Sequence, residues 1–377
     1  MKAIVNATIV MPDHYIMGGT ILIDGGKIVD FGKNINTQGA EIIDAQNAFV
    51  GPGLIDIHTH SAGGKWFYEE PEEACAIALR HGVTAVLPAL YFNMDKDTFL
   101  QGVLDLKAAR NSGKCPNLFG AYMEGPYLNP NFGCNKESNP WKDVVKKENY
   151  EKIVAEAADL AKVWCIAPER ENIEQFVADV KAQIPGIVFA VAHSEAAPWQ
   201  IERFIPDGLR LGTHHTNATG TIERYSETRG VCVDETVNKN DDIYAELICD
   251  SMGIHVDPYM IRYVEKIKGS DKIILISDAF VENGPRPAGY EEATDINFDR
   301  SGEIAGSNLT LDVACRNMMV HTGCSVCKAF KYASTNPANL LNLYDRGRIQ
   351  KGCVADLVMV DQWFNVQNVM LKGELVK

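Results

Sequence analysis

Leu54-Ile55-Asp56-Ile57-His58-Thr59-His60 is an apolar, strand-like run that closes on two histidines one residue apart. Side chains alternate along an extended chain, so His58 and His60 share a side, about 6 to 7 Å apart along the backbone and close enough to chelate one ion. The run is the first of eight with this texture. Thr84 to Pro88, Leu118 to Met123, Val163 to Ala167, Val188 to Ala192, Leu209 to Thr213, Ala245 to Cys249 and Ile273 to Ser277 follow it. Stretches of helical length lie between them, among them Glu70 to His81, Asp95 to Arg110, Lys147 to Ala161 and Ile173 to Gln183, with apolar positions three or four apart. Eight βα units in about 280 residues is the arithmetic of a (β/α)8 TIM-like barrel. A doubly wound sheet also alternates in this way, but it does not need eight units, and the chain has no convincing GxGxxG or Walker loop.

The two ends differ from the middle. Ala3 to Val10, Thr20 to Asp24 and Lys27 to Phe31 read as short strands, the last two joined by Gly25-Gly26, a pair suited to a tight hairpin. Ala355 to Val360, Val366 to Leu371 and Glu374 to Val376 have the same texture. Neither end is long enough to fold alone, so the expectation is one small β-sandwich domain built from both. The domain reading is 1–50 for its N-terminal part, 51–340 for the barrel and 341–377 for its C-terminal part.

The chain has 377 residues, 36 basic against 50 acidic, for a formal charge of −14. That balance opposes nucleic acid or an anionic membrane as partner, because both reward clustered positive charge. No stretch approaches the roughly 20 apolar residues of a membrane span, and the N-terminus runs straight into strand-like sequence rather than a signal peptide. The ten cysteines are scattered and read as reduced thiols of a cytoplasmic protein. Cys324-Ser-Val-Cys327 is the only CxxC and reads as a structural pair.

Barrel chemistry sits at the C-terminal ends of the strands. Those ends read His58-Thr59-His60 after the first, Glu124-Gly125-Pro126 after the third, His193 after the fifth, His214-His215 after the sixth and Asp278 after the eighth. His255 lies just past the seventh. Five of nine histidines thus fall on one face, and burying so many polar groups is costly without a shared partner, the simplest being a divalent cation. Only one of His214 and His215 can point inward. His14, His81 and His321 read as surface or helix-end residues.

These motifs resemble the amidohydrolase superfamily. Met123-Glu124-Gly125-Pro126-Tyr127-Leu128-Asn129-Pro130, Ile166-Ala167-Pro168-Glu169, Gly253-Ile254-His255-Val256-Asp257, Ser277-Asp278-Ala279 and Ala305 to Leu311 narrow the resemblance to the N-acetylglucosamine-6-phosphate deacetylase family. By that resemblance Glu124, His193 and His214 are the core metal ligands. His58 and His60 hold a second ion bridged by Glu124. The strand-four end, Ala167-Pro168-Glu169, lacks the carboxylated lysine of the hydantoinase branch.

The resemblance implies one or two divalent ions, zinc first, with iron, manganese, cobalt or nickel as alternatives. It makes Asp278 the group that takes a proton from water and returns it to the departing amine, worth about 100- to 10,000-fold. It places His255, Asn217 and Ala218 against the substrate, with Ala305 to Leu311 in the cavity wall, and implies a homodimer. Two positions depart from the pattern: Asn135 replaces a substrate-contacting His, and Glu227 replaces a phosphate-binding Arg, with Arg224 and Arg229 near enough to substitute. The expected substrate is an N-acetylated amino sugar, N-acetylglucosamine 6-phosphate first. An unphosphorylated or isomeric N-acetylhexosamine, or another amidohydrolase reaction such as deamination, is the alternative.

Overall fold

The computed structural model describes residues 1–220, 225–228, 230–282 and 284–376. Its centre is a parallel sheet of eight strands whose spatial order follows the chain: Leu54–Thr59, Val83–Tyr91, Ala121–Glu124, Ala161–Ile166, Val188–Val191, Leu209–Gly212, Tyr244–Ile248 and Ile273–Ile276. The first and last strands meet through loop backbone. Asp278 N–H donates to His58 O (3.0 Å) and His60 N–H to Ala279 O (2.8 Å), which closes the barrel at the end where the ionisable residues stand.

Alternation sorts each strand into two environments. Ile55, Ile57, Ala85, Leu87, Val163, Cys165, Ala190, Leu211, Ile274 and Ile276 fill the barrel interior. Their neighbours Leu54, Val86, Trp164, Ile166, Phe189, Val191, Leu247 and Leu275 pack outward under the helices. This double burial is why the strands read as continuous apolar runs. Helix Lys96–Asn111 shows the complementary period: Phe99, Val103 and Leu106 face the core, and Asp95 caps the N-terminus by accepting from Thr98 N–H (2.9 Å). Helix Lys147–Ala157 is four residues shorter than the expectation of Lys147 to Ala161. The chain turns at Leu160, and Ala161 is taken into the fourth strand opposite Ala121.

Both ends share one mixed sheet. Leu357–Val360 pairs antiparallel with Phe49–Pro52, which pairs parallel with Lys2–Val10; Tyr15–Asp24 and Lys27–Gly32 follow on one side, Val366–Leu371 and Glu374–Leu375 on the other. The sheet curls until distant parts meet, with Ala355 N–H donating to Gly26 O (2.9 Å), so its two halves enclose a separate core around Ile4, Ile21, Val50, Leu357 and Met370. A hairpin of Ile296–Phe298 and Ile304–Ser307, absent from the sequence reading, lies beyond the last barrel strand. Among the described residues no helix is long and apolar enough to cross a membrane.

Candidate active site

Five strand ends converge at one end of the barrel. His58, His60 and Asp278 form one group of ligand atoms, and Glu124, His193 and His214 form another, each within 4.8 Å; all six residues are buried. Glu124 joins them. Its Oε2 lies 3.1 Å from His60 Nε2 and 3.7 Å from His58 Nε2, while its Oε1 lies 2.9 Å from His193 Nε2 and 3.3 Å from His214 Nε2. Asp278 Oδ1 stands 3.6 Å from His58 Nε2 and 3.4 Å from His60 Nε2. His193, His214 and Asp278 all have positive φ, at 42°, 28° and 45°. Left-handed backbone in a non-glycine residue costs of order 1–3 kcal/mol, and its concentration here is typical of functional sites.

The atoms fit a cation. His214 Nδ1–H donates to Asn217 O (3.2 Å), which leaves the Nε2 lone pair facing His193 Nε2 at 3.1 Å and the Glu124 carboxylate. In the other group, His58 Nδ1–H donates to Glu246 Oε2 (3.1 Å), and His58 Nε2 is buried with no hydrogen-bond partner. Three acceptors converging without enough hydrogens is the arrangement a divalent ion satisfies.

The electrostatics agree. Burial opposes charge on His58, yet the Asp278 and Glu246 carboxylates override it and hold its pKa well above the imidazole range. A field that favours a proton there also favours a metal ion. Burial would likewise raise Glu124, but His193, His214, His58 and His60 hold it well below the carboxylate range. Burial lowers His193 and so favours the neutral form that ligation requires.

A cavity of about 260 Å³ opens over these groups. His60, Glu124, His193, His214 and Asp278 line its floor, and Asn217, Ala218 and His255 line its side. His255 is held by Asp250, whose Oδ2 accepts from its Nδ1–H (3.2 Å) and its backbone N–H (2.8 Å). Gly306 from the Ala305 to Leu311 segment also lines the cavity. His214 takes the inward position; His215 turns away to Asn238 Oδ1 (3.0 Å).

Asn135 stands apart from the expectation. Its amide donates to Glu282 Oε2 (3.1 Å) and its backbone N–H to Asp299 Oδ2 (3.3 Å), tying the loop to the hairpin segment, while its neighbours Cys134 and Lys136 line the cavity instead. Arg224 and Arg229 lie outside the described residues. Glu227 is exposed. His14 and His81 pair with Asp13 and Asp312, and His321 Nε2 lies 2.8 Å from Asp250 O, all away from the ligand groups.

The sequence reading missed Glu246 and the aromatic wall of Tyr91, Phe92 and Phe280. A carboxylate inside the apolar run Ala245 to Ile248 was the available signal for Glu246. The aromatic residues have none, because an aromatic residue at a strand end is ordinarily core. Phe280 packs against His60 with ring centroids 5.0 Å apart and Phe92 against His193 at 5.1 Å, so one ring flanks each ligand group.

The fold and these groups define a metal-dependent hydrolase of the barrel class, and the chain belongs to the amidohydrolase family, whose model matches residues 49–376. Within it the chain is similar to the N-acetylglucosamine-6-phosphate deacetylase of Lysinibacillus sphaericus, 28% identical over 373 residues that cover 93% of this chain and 91% of the relative. It is also 28% identical to the N-acetylgalactosamine-6-phosphate deacetylase of Escherichia coli O157:H7, over 86% of each chain. Among solved structures, the N-acetylglucosamine-6-phosphate deacetylase of Thermotoga maritima superposes with a TM-score of 0.83 at 25% identity, covering 100% of this chain and 99% of that one.

Proposed function

We propose that this chain removes the acetyl group from N-acetylglucosamine 6-phosphate by hydrolysis of its amide, giving glucosamine 6-phosphate and acetate. The observation that carries the reading is Glu124 turned with one oxygen to each histidine group, beside Asp278 on the floor of the cavity. Glu124, His193 and His214 would hold one divalent ion and His58 and His60, with Asp278 beside them, a second. Zinc is the ion that imidazole and carboxylate ligands of this number suit best. Such an ion supplies Lewis acidity, lowering the pKa of bound water toward about 7 and polarising the amide carbonyl.

The remaining steps belong to the protein. Asp278 accepts a proton from the attacking water; as the C–N bond breaks it gives that proton to the amine nitrogen, so the carboxylate ends as it began. Asn217, Ala218 and His255 bind the sugar and its phosphate on the cavity's side, with Arg224 or Arg229 completing the phosphate contacts. Asn135 stands behind the loop and positions it rather than touching substrate. The apolar acetyl methyl suits the aromatic side formed by Tyr91, Phe92 and Phe280.

The equal identity to a galactosamine-isomer deacetylase supports a second reading, in which the sugar is N-acetylgalactosamine 6-phosphate. The test is acetate release from N-acetylglucosamine, N-acetylgalactosamine and N-acetylmannosamine, each with and without a 6-phosphate. Fastest turnover of N-acetylglucosamine 6-phosphate is expected; preference for an unphosphorylated or isomeric sugar would move the assignment, and ammonia in place of acetate would replace the reaction class. A homodimer in the cytoplasm belongs to the same reading. Ten free thiols support a reducing compartment, and exposed Tyr259, Tyr263 and Ile267 along one helix face support self-association. The division at residues 50 and 340 completes it, with the sheet strand Phe49–Pro52 spanning the first boundary.

A further inference from the structure

Glu246 lies in the middle of the seventh barrel strand, its side chain completely buried. A carboxylate there is costly unless its oxygens are occupied. Oε2 is occupied, accepting from His58 Nδ1–H (3.1 Å), from the backbone N–H of His214 (3.1 Å) and from the Tyr122 hydroxyl (3.4 Å), whereas Oε1 is buried with no hydrogen-bond partner, so the carboxylate's place in the strand is tied to what Oε2 holds. Packing already fixes the plane of the His58 ring, since the Tyr122 ring stacks on it at 4.1 Å with 16° between the planes. What stacking cannot fix is which ring nitrogen carries the hydrogen. A carboxylate only accepts, so it places the hydrogen on Nδ1 and leaves the lone pair on Nε2. That atom faces Glu124 Oε2 and Asp278 Oδ1 and has no hydrogen-bond partner of its own.

We infer that Glu246 is a positioning residue: it sets the tautomer of His58 and thereby makes the His58, His60 and Asp278 group competent to hold a cation. The other group does not depend on it in the same way. His214 takes its tautomer from Asn217 O, and Glu246 reaches only its backbone. The inference rests on the metal reading proposed above, and it divides the two groups by where the Nδ1–H of His58 and the Nδ1–H of His214 are anchored.

The test is zinc binding to chelator-stripped full-length protein, followed by calorimetry and by metal analysis of dialysed samples, in the parent, Glu246→Gln, His58→Asn and the double variant. Glutamine keeps the size of the side chain but presents donors as well as an acceptor, so it no longer dictates the tautomer. The parent is expected to bind two ions. Glu246→Gln is expected to weaken one of them about 10- to 100-fold, the range typical of losing an outer-shell partner, and to leave the other unchanged. In the His58→Asn background it is expected to change zinc affinity no further.

Zinc stoichiometry and affinity in Glu246→Gln equal to the parent's would overturn this inference and leave the metal reading standing. Equal weakening with and without His58 would overturn it too, because the effect would then be general. A stripped parent that takes up no zinc overturns both. Should Glu246→Gln not fold, nitrogen NMR of the zinc-loaded parent with labelled histidine decides: a hydrogen on His58 Nδ1 is expected, and one on Nε2 overturns the inference.

Discussion

Asp278 Oδ1 is 3.4 Å from His60 Nε2 and lines the cavity, the placement on which its proposed part in proton transfer rests. Asp278→Asn is expected to keep its zinc while turnover falls about 100- to 10,000-fold. His193→Ala is expected to lose zinc from the Glu124 group as well, which metal analysis of the purified variants checks. A second residue-scale expectation concerns Asp250. Burial pushes its carboxyl up, but hydrogen bonds from His255 and from the Ile254 and His255 backbone hold it at about 2 against an ordinary 3.8. A depressed carboxylate contributes stability that is present above its unfolded value and lost as the pH falls through the folded one. The gap in unfolding free energy between parent and Asp250→Asn is therefore expected to narrow from pH 4 toward about pH 2; chemical denaturation across that range showing a constant gap would contradict it. The convergence of His58, His60, Glu124, His193, His214 and Asp278 was legible because each stands at or just past the C-terminal end of a barrel strand. For Glu246 the one signal, a carboxylate inside an apolar run, does not say what the side chain meets until the barrel closes and brings His58 to it.

At the scale of elements, loops after the strands are pinned by the hairpin segment as much as by the barrel. Ser307 N–H donates to Asp278 O (2.9 Å), and Asn297 Nδ2 donates to both Phe280 O (2.7 Å) and Ser307 O (2.8 Å). Gly306 allows this close approach: its φ is +61°, and a Cβ there would lie 2.7 Å from Asp278 O and 2.7 Å from Phe280 Cβ. Gly306→Ala is expected to displace Asp278, lowering kcat together with melting temperature while zinc at the Glu124 group is retained; unchanged kinetics would show that the hairpin does not hold Asp278. The eight barrel strands were legible to within a few residues because burial on both faces makes them uniformly apolar. The hairpin was not, since Ile296 to Phe298 is three residues long and flanked by polar loop sequence. Asn135 was misplaced for a related reason: its partners Glu282 and Asp299 come from loops that sequence spacing does not locate.

For the whole molecule, the ligand groups draw on strands one, three, five, six and eight, so a bound ion joins segments from Leu54 to Ile276 that otherwise meet only through the barrel. An ion that binds only the folded state stabilises it by about 2.7 kcal/mol at 100 times its dissociation constant. For a chain of this length that is roughly 3 °C in melting temperature. Chelation is expected to lower the melting temperature by about that much, and readdition of zinc to restore it; a calorimetric scan insensitive to chelator would count against ions in the native protein. The architecture followed from counting alternating segments, whereas the curled closure of the terminal sheet depends on contacts between residues more than 300 positions apart and could only be expected in outline. The most direct measurement is acetate release from N-acetylglucosamine 6-phosphate by protein stripped of metal and then titrated with zinc. Release that is absent without zinc and rises to saturation with it is expected; release at full rate in excess chelator, or none at any zinc concentration, would contradict the account.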